Sequence, residues 1–317
     1  MTLVFMFPGQ NSRYPEMLEK LTAQYRTARE LIAEASDVLG RDLGKHYLAS
    51  NGEIFARNRD VQVGVFLTNH VYLRLLEAAG IESQWSLGLS LGEYNHLVHI
   101  GALEFAEGLR LVEARGQLYE QVRGGSMVSL FPVTVERLGA LISELHLDGQ
   151  VCVGLNNTPK QQVVSGLRSA VEALVAAVEQ EDFVHAVEIE SNLPMHSPPF
   201  EEAAVRLGEL LATRHLATPR LPYVSNAAGA VVEQPSADAL RRALTAHAWR
   251  PVKWQSCIEA VAARCEAPHF IEAGPRAVLC GLFGRGWAPG GHRALDVEVN
   301  WPLHFEHVLE ELQHARL

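Results

Sequence analysis

Trp85-Ser86-Leu87-Gly88-Leu89-Ser90-Leu91-Gly92-Glu93-Tyr94 is the stretch that decides how this chain is read. Its centre fits Gly-x-Ser-x-Gly, a strand-to-helix turn that lifts a serine hydroxyl out of a sheet. Trp85-Ser86-Leu87 is short and apolar, as a buried strand requires. Beyond the turn, Leu91, Tyr94, Leu97 and Val98 fall at helical spacing. The two glycines have a steric job. A serine on so sharp a turn sits in strained backbone, and side chains two residues to either side collide. The turn also aims a helix N-terminus at whatever Ser90 attacks. Taken alone, the pattern fixes three positions and also describes a Gly/Ser-rich turn without chemistry.

Outward from this turn, residues 1–7 read as a buried first strand and Phe7-Pro8-Gly9-Gln10-Asn11 as the loop after it. Helical periodicity covers 16–38. A second helix spans 60–79, with Asp60 as N-cap and Gly80 as stop. A third, over 105–122, carries Arg115. The texture then changes. Strands at 127–133, 151–155, 162–165 and 184–189 alternate with helices at 135–145 and 170–178, and Asn156-Asn157-Thr158-Pro159 reads as a turn. The order β-α-β-β-α-β is that of a ferredoxin-like unit. Residues 192–199 form a proline-fixed loop. Helices follow at 200–214, 237–246 and 254–264, with strands at 221–225 and 269–272. A helix is expected through Val278, Leu279, Leu282 and Phe283, and a short one at 305–314.

Bulk properties narrow the classes. A chain of 317 residues is long for one core, so one domain with an insertion or two domains is expected. Apolar residues make up 48% and charged residues 20%, as in ordinary globular proteins. No apolar run reaches membrane-spanning length, and the N-terminus lacks a basic segment leading into an apolar one, so no membrane role and a cytoplasmic location are expected. The net charge of −10 argues against nonspecific nucleic-acid binding. Cys152, Cys257, Cys265 and Cys280 lack Cys-x-x-Cys spacing. His96 and His99 lack a third ligand, so no metal is expected. Gly281, Gly284 and Gly286 do not follow the order of a dinucleotide loop.

Four blocks in order carry a resemblance: Phe7-Pro8-Gly9-Gln10, Gly88 to Tyr94, Glu113-Ala114-Arg115-Gly116 and Met195-His196-Ser197-Pro198. Asn157-Thr158-Pro159, Val163-Val164-Ser165-Gly166, Ser225-Asn226, Pro251-Val252-Lys253-Trp254 and Glu272-Ala273-Gly274-Pro275 support them. Together they span residue 7 to about 284. In these the chain resembles the malonyl-CoA:acyl-carrier-protein transacylases and the related acyltransferases of polyketide synthases. The resemblance implies an α/β-hydrolase-like large domain, residues 1–125 and 191–317, with a ferredoxin-like subdomain at 126–190 and a cleft between them. It implies Ser90 as nucleophile, His196 as its base, the backbone N–H groups of Gln10 and Leu91 as oxyanion hole, and Arg115 as partner of a malonyl-type carboxylate. Leu89 and Met195 are implied substrate neighbours, and His247 a supporting residue.

The chemistry asks for these groups. A serine hydroxyl is a poor nucleophile until a base takes its proton, and an imidazole titrates in the useful range. Preorganised N–H donors stabilise the oxyanion. A planar guanidinium matches a carboxylate with two parallel hydrogen bonds. Each residue also has a plainer reading: His196 as a loop or core histidine, Arg115 as an ion-paired helix residue, Gln10 as a turn cap.

The chain departs from the family at several points. Leu89 stands where many members have His, Asn11 where Gly is usual, and Arg13 where Gln is usual. His247 occupies a position often Gln or Asn, and Met195 one that often carries Phe or Ser. The resulting expectation is a monomeric acyltransferase without cofactor. It takes malonyl-CoA or a related acyl-CoA as substrate and an acyl carrier protein as partner, in fatty-acid or polyketide synthesis. The alternatives are transfer of a longer acyl chain between carrier proteins, hydrolysis of stalled chains, and a catalytically silent docking protein. An acidic carrier protein calls for a local positive surface despite the net charge; Arg13, Arg206, Arg250, Arg276 and Arg285 are the candidates.

Overall fold

A computed structural model describes residues 1–181, 183–284, 286–295 and 303–314. Arg285 lies outside the described residues. The described residues form a mixed α/β fold, with two four-stranded sheets and one short ribbon among them. The first sheet is built from β1 (Thr2–Phe7) and β2 (Trp85–Gly88). The second contains β3 (Gly125–Phe131), β4 (Val151–Thr158), β5 (Gln161–Leu167) and β6 (His185–Glu190). The ribbon pairs β7 (Tyr223–Ser225) with β8 (Ala230–Val232), and the first sheet is completed by β9 (Pro268–Glu272) and β10 (Gly291–Ala294).

The first sheet is parallel throughout, in the order β10-β9-β1-β2. A parallel strand covered on both faces must be apolar on both, and β1 is: Leu3 through Phe7 are all buried. Because β1 and β2 are parallel neighbours, Phe7 pairing with Gly88, their carboxyl ends finish on one edge. The loop after β1 and the turn after β2 therefore meet there, where open α/β sheets bind their ligands.

The second sheet has the order β4-β5-β3-β6 and is antiparallel, with helices Val135–Glu144 and Arg168–Val178 in the connections. Side chains alternate between faces along a strand, and here both faces are buried. Met127, Leu155 and Val163 join the core of the first sheet, while Val128, Leu130, Val151 and Val164 form a second core with Leu138, Leu141, Val171 and Leu174. The second sheet is thus a slab clamped between its own helices and the rest of the molecule.

Several sequence expectations need correction. The helix over 16–38 is two helices, Met17–Gln24 and Arg26–Leu39, broken at Tyr25 by its extended backbone (φ −111°, ψ 130°). Asp60 is not an N-cap: the helix is Asn58–Ala78, and Asp60 is buried in its first turn against Arg41 at 3.1 Å and Arg59 at 3.3 Å. Asn156 to Thr158 are strand, because irregular pairing lets β4 run on to Thr158. The helix expected through Val278 to Phe283 shrinks to a 3-10 turn at Cys280–Leu282. There the N–H groups of Leu279 and Cys280 turn instead to the buried Glu272 carboxylate, at 3.0 and 2.8 Å.

Candidate active site

The turn after β2 is built by close approach. A Cβ on Gly88 would drive into the Gly92 backbone, and one on Gly92 into the Phe7 carbonyl oxygen. Only glycine lets the elbow sit down on the end of β1. Ser90 has φ +51°, a left-handed conformation that costs a serine free energy and needs outside support. Asn226 supplies it. Its Oδ1 accepts the Ser90 N–H at 2.9 Å, and its Nδ2 donates to the Gly88 carbonyl at 2.8 Å. The Ser90 N–H is thereby occupied. Among the described residues, the N–H groups of Gln10 and Leu91 donate to no protein acceptor. Both are available to a developing oxyanion.

The Gln10 loop is anchored from below. Asn69 Nδ2 donates to the Pro8 carbonyl and to Asn95 Oδ1, both at 3.0 Å, and Asn95 Nδ2 donates to the Phe66 carbonyl at 3.0 Å. Both asparagines are fully buried.

His196 comes from the loop after β6. Ser90 Oγ and His196 Nε2 are 2.8 Å apart. His196 Nδ1 lies 2.7 Å from the backbone oxygen of His247, which can only accept. Nδ1 therefore carries the proton, and Nε2 presents its lone pair to Ser90. The second sheet holds this loop: Ser165 Oγ donates to the Met195 carbonyl at 2.5 Å, and Cys152 Sγ to that of His196 at 3.4 Å. Burial first, then the facing His247 ring and the Arg115 guanidinium, hold His196 well below the ordinary histidine range, while its backbone hydrogen bonds act the other way.

His247 serves the site through two separate groups. Its carbonyl orients His196. Its ring lies 5.1 Å from the His196 ring, and its Nδ1 is 3.0 Å from Glu93 Oε2. Glu93 is fully buried, and its other oxygen accepts the Tyr223 hydroxyl.

Arg115, on helix Phe105–Tyr119, is 1% exposed. Its guanidinium lies 4.4 Å from the Tyr119 ring and 5.3 Å from that of Tyr94. Nη1 donates to Gln62 Oε1 at 2.6 Å, and Gln62 Nε2 donates to Asn58 Oδ1 at 2.5 Å. Among the described residues no carboxylate pairs with it, and its Nε has no acceptor. Leu89 and Met195 are buried in the same core, and Leu193 and Gln10 line a cavity of about 340 Å³.

His96 and His99 have a different task. Ser86 Oγ bridges their Nδ1 atoms at 2.7 and 2.9 Å, and His96 Nε2 accepts the Val224 N–H at 2.9 Å. Among the described residues no three His, Cys, Asp or Glu side chains gather as a metal site. Sequence reasoning assigned no role to Glu93, Gln62 or Asn226. The available signal for Asn226 was its place in the Ser225-Asn226 block. For Gln62 it was a polar residue on the apolar face of a helix.

This geometry is that of an acyl transferase. Residues 4–294 match the family model for the acyl transferase domain, and the chain belongs to that family. Among curated proteins, it is 32% identical over 286 residues to the malonyl CoA-acyl carrier protein transacylase of Escherichia coli strain K12, covering 89% of this chain and 91% of that protein. Among solved structures, the malonyl CoA-acyl carrier protein transacylase from Clostridium perfringens superposes with a TM-score of 0.90 at 26% identity, covering 100% of this chain and 98% of that one. A malonyl-transacylase solved in complex with its type II polyketide-synthase acyl-carrier protein gives a TM-score of 0.87 at 28% identity, covering 98% of this chain and 100% of that one.

Proposed function

We propose that this acyltransferase moves a malonyl group from coenzyme A to the phosphopantetheine thiol of an acyl carrier protein, through an ester on Ser90. The observation that carries the reading is Arg115: a guanidinium buried among aromatic rings, without a carboxylate partner among the described residues, acting electrostatically on the histidine that faces Ser90. A buried charge needs a counter-charge, and the distal carboxylate of a malonyl group is one. The same feature counts against hydrolysis or transfer of uncharged long chains.

His196 Nε2 takes the Ser90 proton as Oγ attacks the thioester carbonyl. The oxyanion is received by the N–H groups of Gln10 and Leu91. The His196 imidazolium is stabilised by its Nδ1–H bond to the His247 carbonyl, which strengthens when charged. It returns the proton to the departing coenzyme A sulfur. The carrier-protein thiol then enters, gives its proton to His196, attacks the Ser90 ester, and leaves as the malonyl thioester while Ser90 recovers its proton. Coenzyme A enters as a substrate, and the cycle needs no further cofactor. In this reading the parallel sheet belongs to an α/β-hydrolase-like domain and the antiparallel one to a ferredoxin-like subdomain, with the substrate in the cleft between them. A monomer in the cytoplasm fits it.

Intact-mass measurement after mixing with malonyl-CoA tests the reading. A malonyl adduct on the parent protein that is absent from Ser90→Ala supports it. An adduct retained by the alanine variant places the nucleophile elsewhere, and no adduct on the parent removes the acyl-enzyme.

A further inference from the structure

Arg115 meets the first turn of helix Asn58–Ala78 because its chain neighbour is Gly116. A Cβ on Gly116 would lie 2.4 Å from Arg59 Cα, so only glycine lets helix Phe105–Tyr119 come this close. Glu120, just past the end of that second helix, ties the approach. Its Oε1 accepts the Arg59 N–H, one of the donors a helix start leaves free, at 2.8 Å. Asn58 and Gln62 stand one turn apart on the same face of their helix, and this packing sets them beside the Arg115 guanidinium.

Gln62 is fully buried, and its side-chain amide has one accepting end and one donating end. A guanidinium only donates, so the amide oxygen must face it; Oε1 is 2.6 Å from Arg115 Nη1. The opposite end then needs an acceptor, and Asn58 Oδ1 lies 2.5 Å from Gln62 Nε2. Turned over, the amide would set its NH₂ against the guanidinium, donor against donor. Without the Asn58 oxygen, the buried Nε2 is an unsatisfied donor, and Gln62 loses the contact that keeps its oxygen on Arg115. Arg115 Nε has no acceptor among the described residues. The guanidinium is thus anchored at Nη1 and unsatisfied at Nε. Asn58 also lines the cavity of about 340 Å³ with Gln10 and Leu193, so the relay starts on the wall of the catalytic cleft.

We infer that Asn58 is a positioning residue for acyl-group selection: through Gln62 it fixes the Arg115 guanidinium in the orientation that receives a carboxylate. This rests on the malonyl-transfer reading, since without a substrate carboxylate the relay has nothing to select. A guanidinium already held in place does not have to be ordered when the malonyl group arrives. An acetyl group has no carboxylate and draws nothing from the relay.

The test compares kcat/KM for acylation by malonyl-CoA and by acetyl-CoA. The variants are Asn58→Leu, which removes the acceptor at similar size, Asn58→Ala, which removes it at smaller size, Gln62→Leu, the double variant Asn58→Leu with Gln62→Leu, and Arg115→Ala. Both rates are taken on one sample, so their ratio does not depend on the fraction folded, and a loss of stability cannot imitate a loss of selectivity. The malonyl-to-acetyl ratio should fall about ten-fold in each single Asn58 variant and in Gln62→Leu. Because Asn58 acts through Gln62, the double variant should fall no further than Gln62→Leu alone. A ratio that stays at the parent value in both Asn58 variants, while Arg115→Ala collapses it, overturns the inference and leaves the malonyl reading standing. Losses that multiply in the double variant also overturn it, because Asn58 then acts by another route. A ratio unchanged in Arg115→Ala sinks the malonyl reading and this inference with it.

Discussion

The backbone carbonyl of His247, not an acidic side chain, accepts the Nδ1–H of His196 at 2.7 Å. That bond survives any change of the residue 247 side chain that leaves its helix in place. His196→Ala should therefore slow both half-reactions by about two to four powers of ten, the usual worth of a positioned general base. His247→Gln should lose far less. Stopped-flow acylation and deacylation rates for both variants check this. Comparable losses in the two would mean that the His247–Glu93 pair, not the carbonyl, sets the base.

Depression of the His196 pKa has a definite sign. A protonated imidazole cannot take the Ser90 proton, so activity is lost as pH falls through the folded pKa. Burial, with the His247 ring and Arg115 beside it, puts that pKa well below 6.5. The acid limb of kcat/KM for acylation should accordingly lie below pH 6.5. A limb at or above that value contradicts the desolvated site.

Asn226 is expected to act on kcat. Removing it leaves the Ser90 N–H and the Gly88 carbonyl without partners at a buried elbow, at about 1–3 kcal/mol per group. Asn226→Ala should lower the melting temperature and kcat together while leaving KM for malonyl-CoA nearly unchanged. A variant with normal kcat would show that Ser90 holds its strained backbone unaided.

Outside the catalytic pair, buried His70 and His96 and half-buried His99 make the protein acid-sensitive. Burial lowers His70 to about 3, His96 to about 3 and His99 to about 4. The unfolded chain takes up these protons first, so stability is complete above about pH 6.5 and declines as pH falls towards 3. At pH 5 each contributes a loss of about 2 kcal/mol. His70 stacks on Phe105 at 4.3 Å, so His70→Phe keeps an aromatic ring there and removes one titration. Urea unfolding midpoints should fall less steeply between pH 7 and 5 in that variant. Parallel slopes would clear His70 of the effect.

How far the chain could be read in advance depended on whether a constraint was local. The elbow was legible because Gly88 and Gly92 are forced by contacts within a few residues and with the end of β1. The short apolar runs of β3 and β5 were legible as strands, although they do not tell which face meets which core. Tyr25, Asp60 and the segment after Pro275 were misread. Asp60 is held by Arg41 on another helix, and Leu279 and Cys280 give their N–H groups to the Glu272 side chain, contacts that apolar periodicity does not register. Ser90, His196 and Arg115 were named through ordered blocks, and the structure brings Ser90 and His196 into hydrogen-bond distance with the Arg115 charge acting on His196. Asn226, Gln62 and Glu93 were given no role, because amides and acids that serve by bracing a backbone or a side chain carry no spacing of their own.

Arg115 decides the substrate class, and four rates measure it: acylation by malonyl-CoA and by acetyl-CoA, for the parent protein and for Arg115→Ala. Removing one partner of a buried pair costs about 3–5 kcal/mol. At about 1.4 kcal/mol per tenfold, that is roughly two to three and a half powers of ten. The predicted result is a malonyl-to-acetyl ratio that collapses by about that factor, with acetyl transfer kept or improved. A ratio unchanged by the substitution would contradict the account, leaving Arg115 a structural residue and an uncharged acyl chain the better substrate.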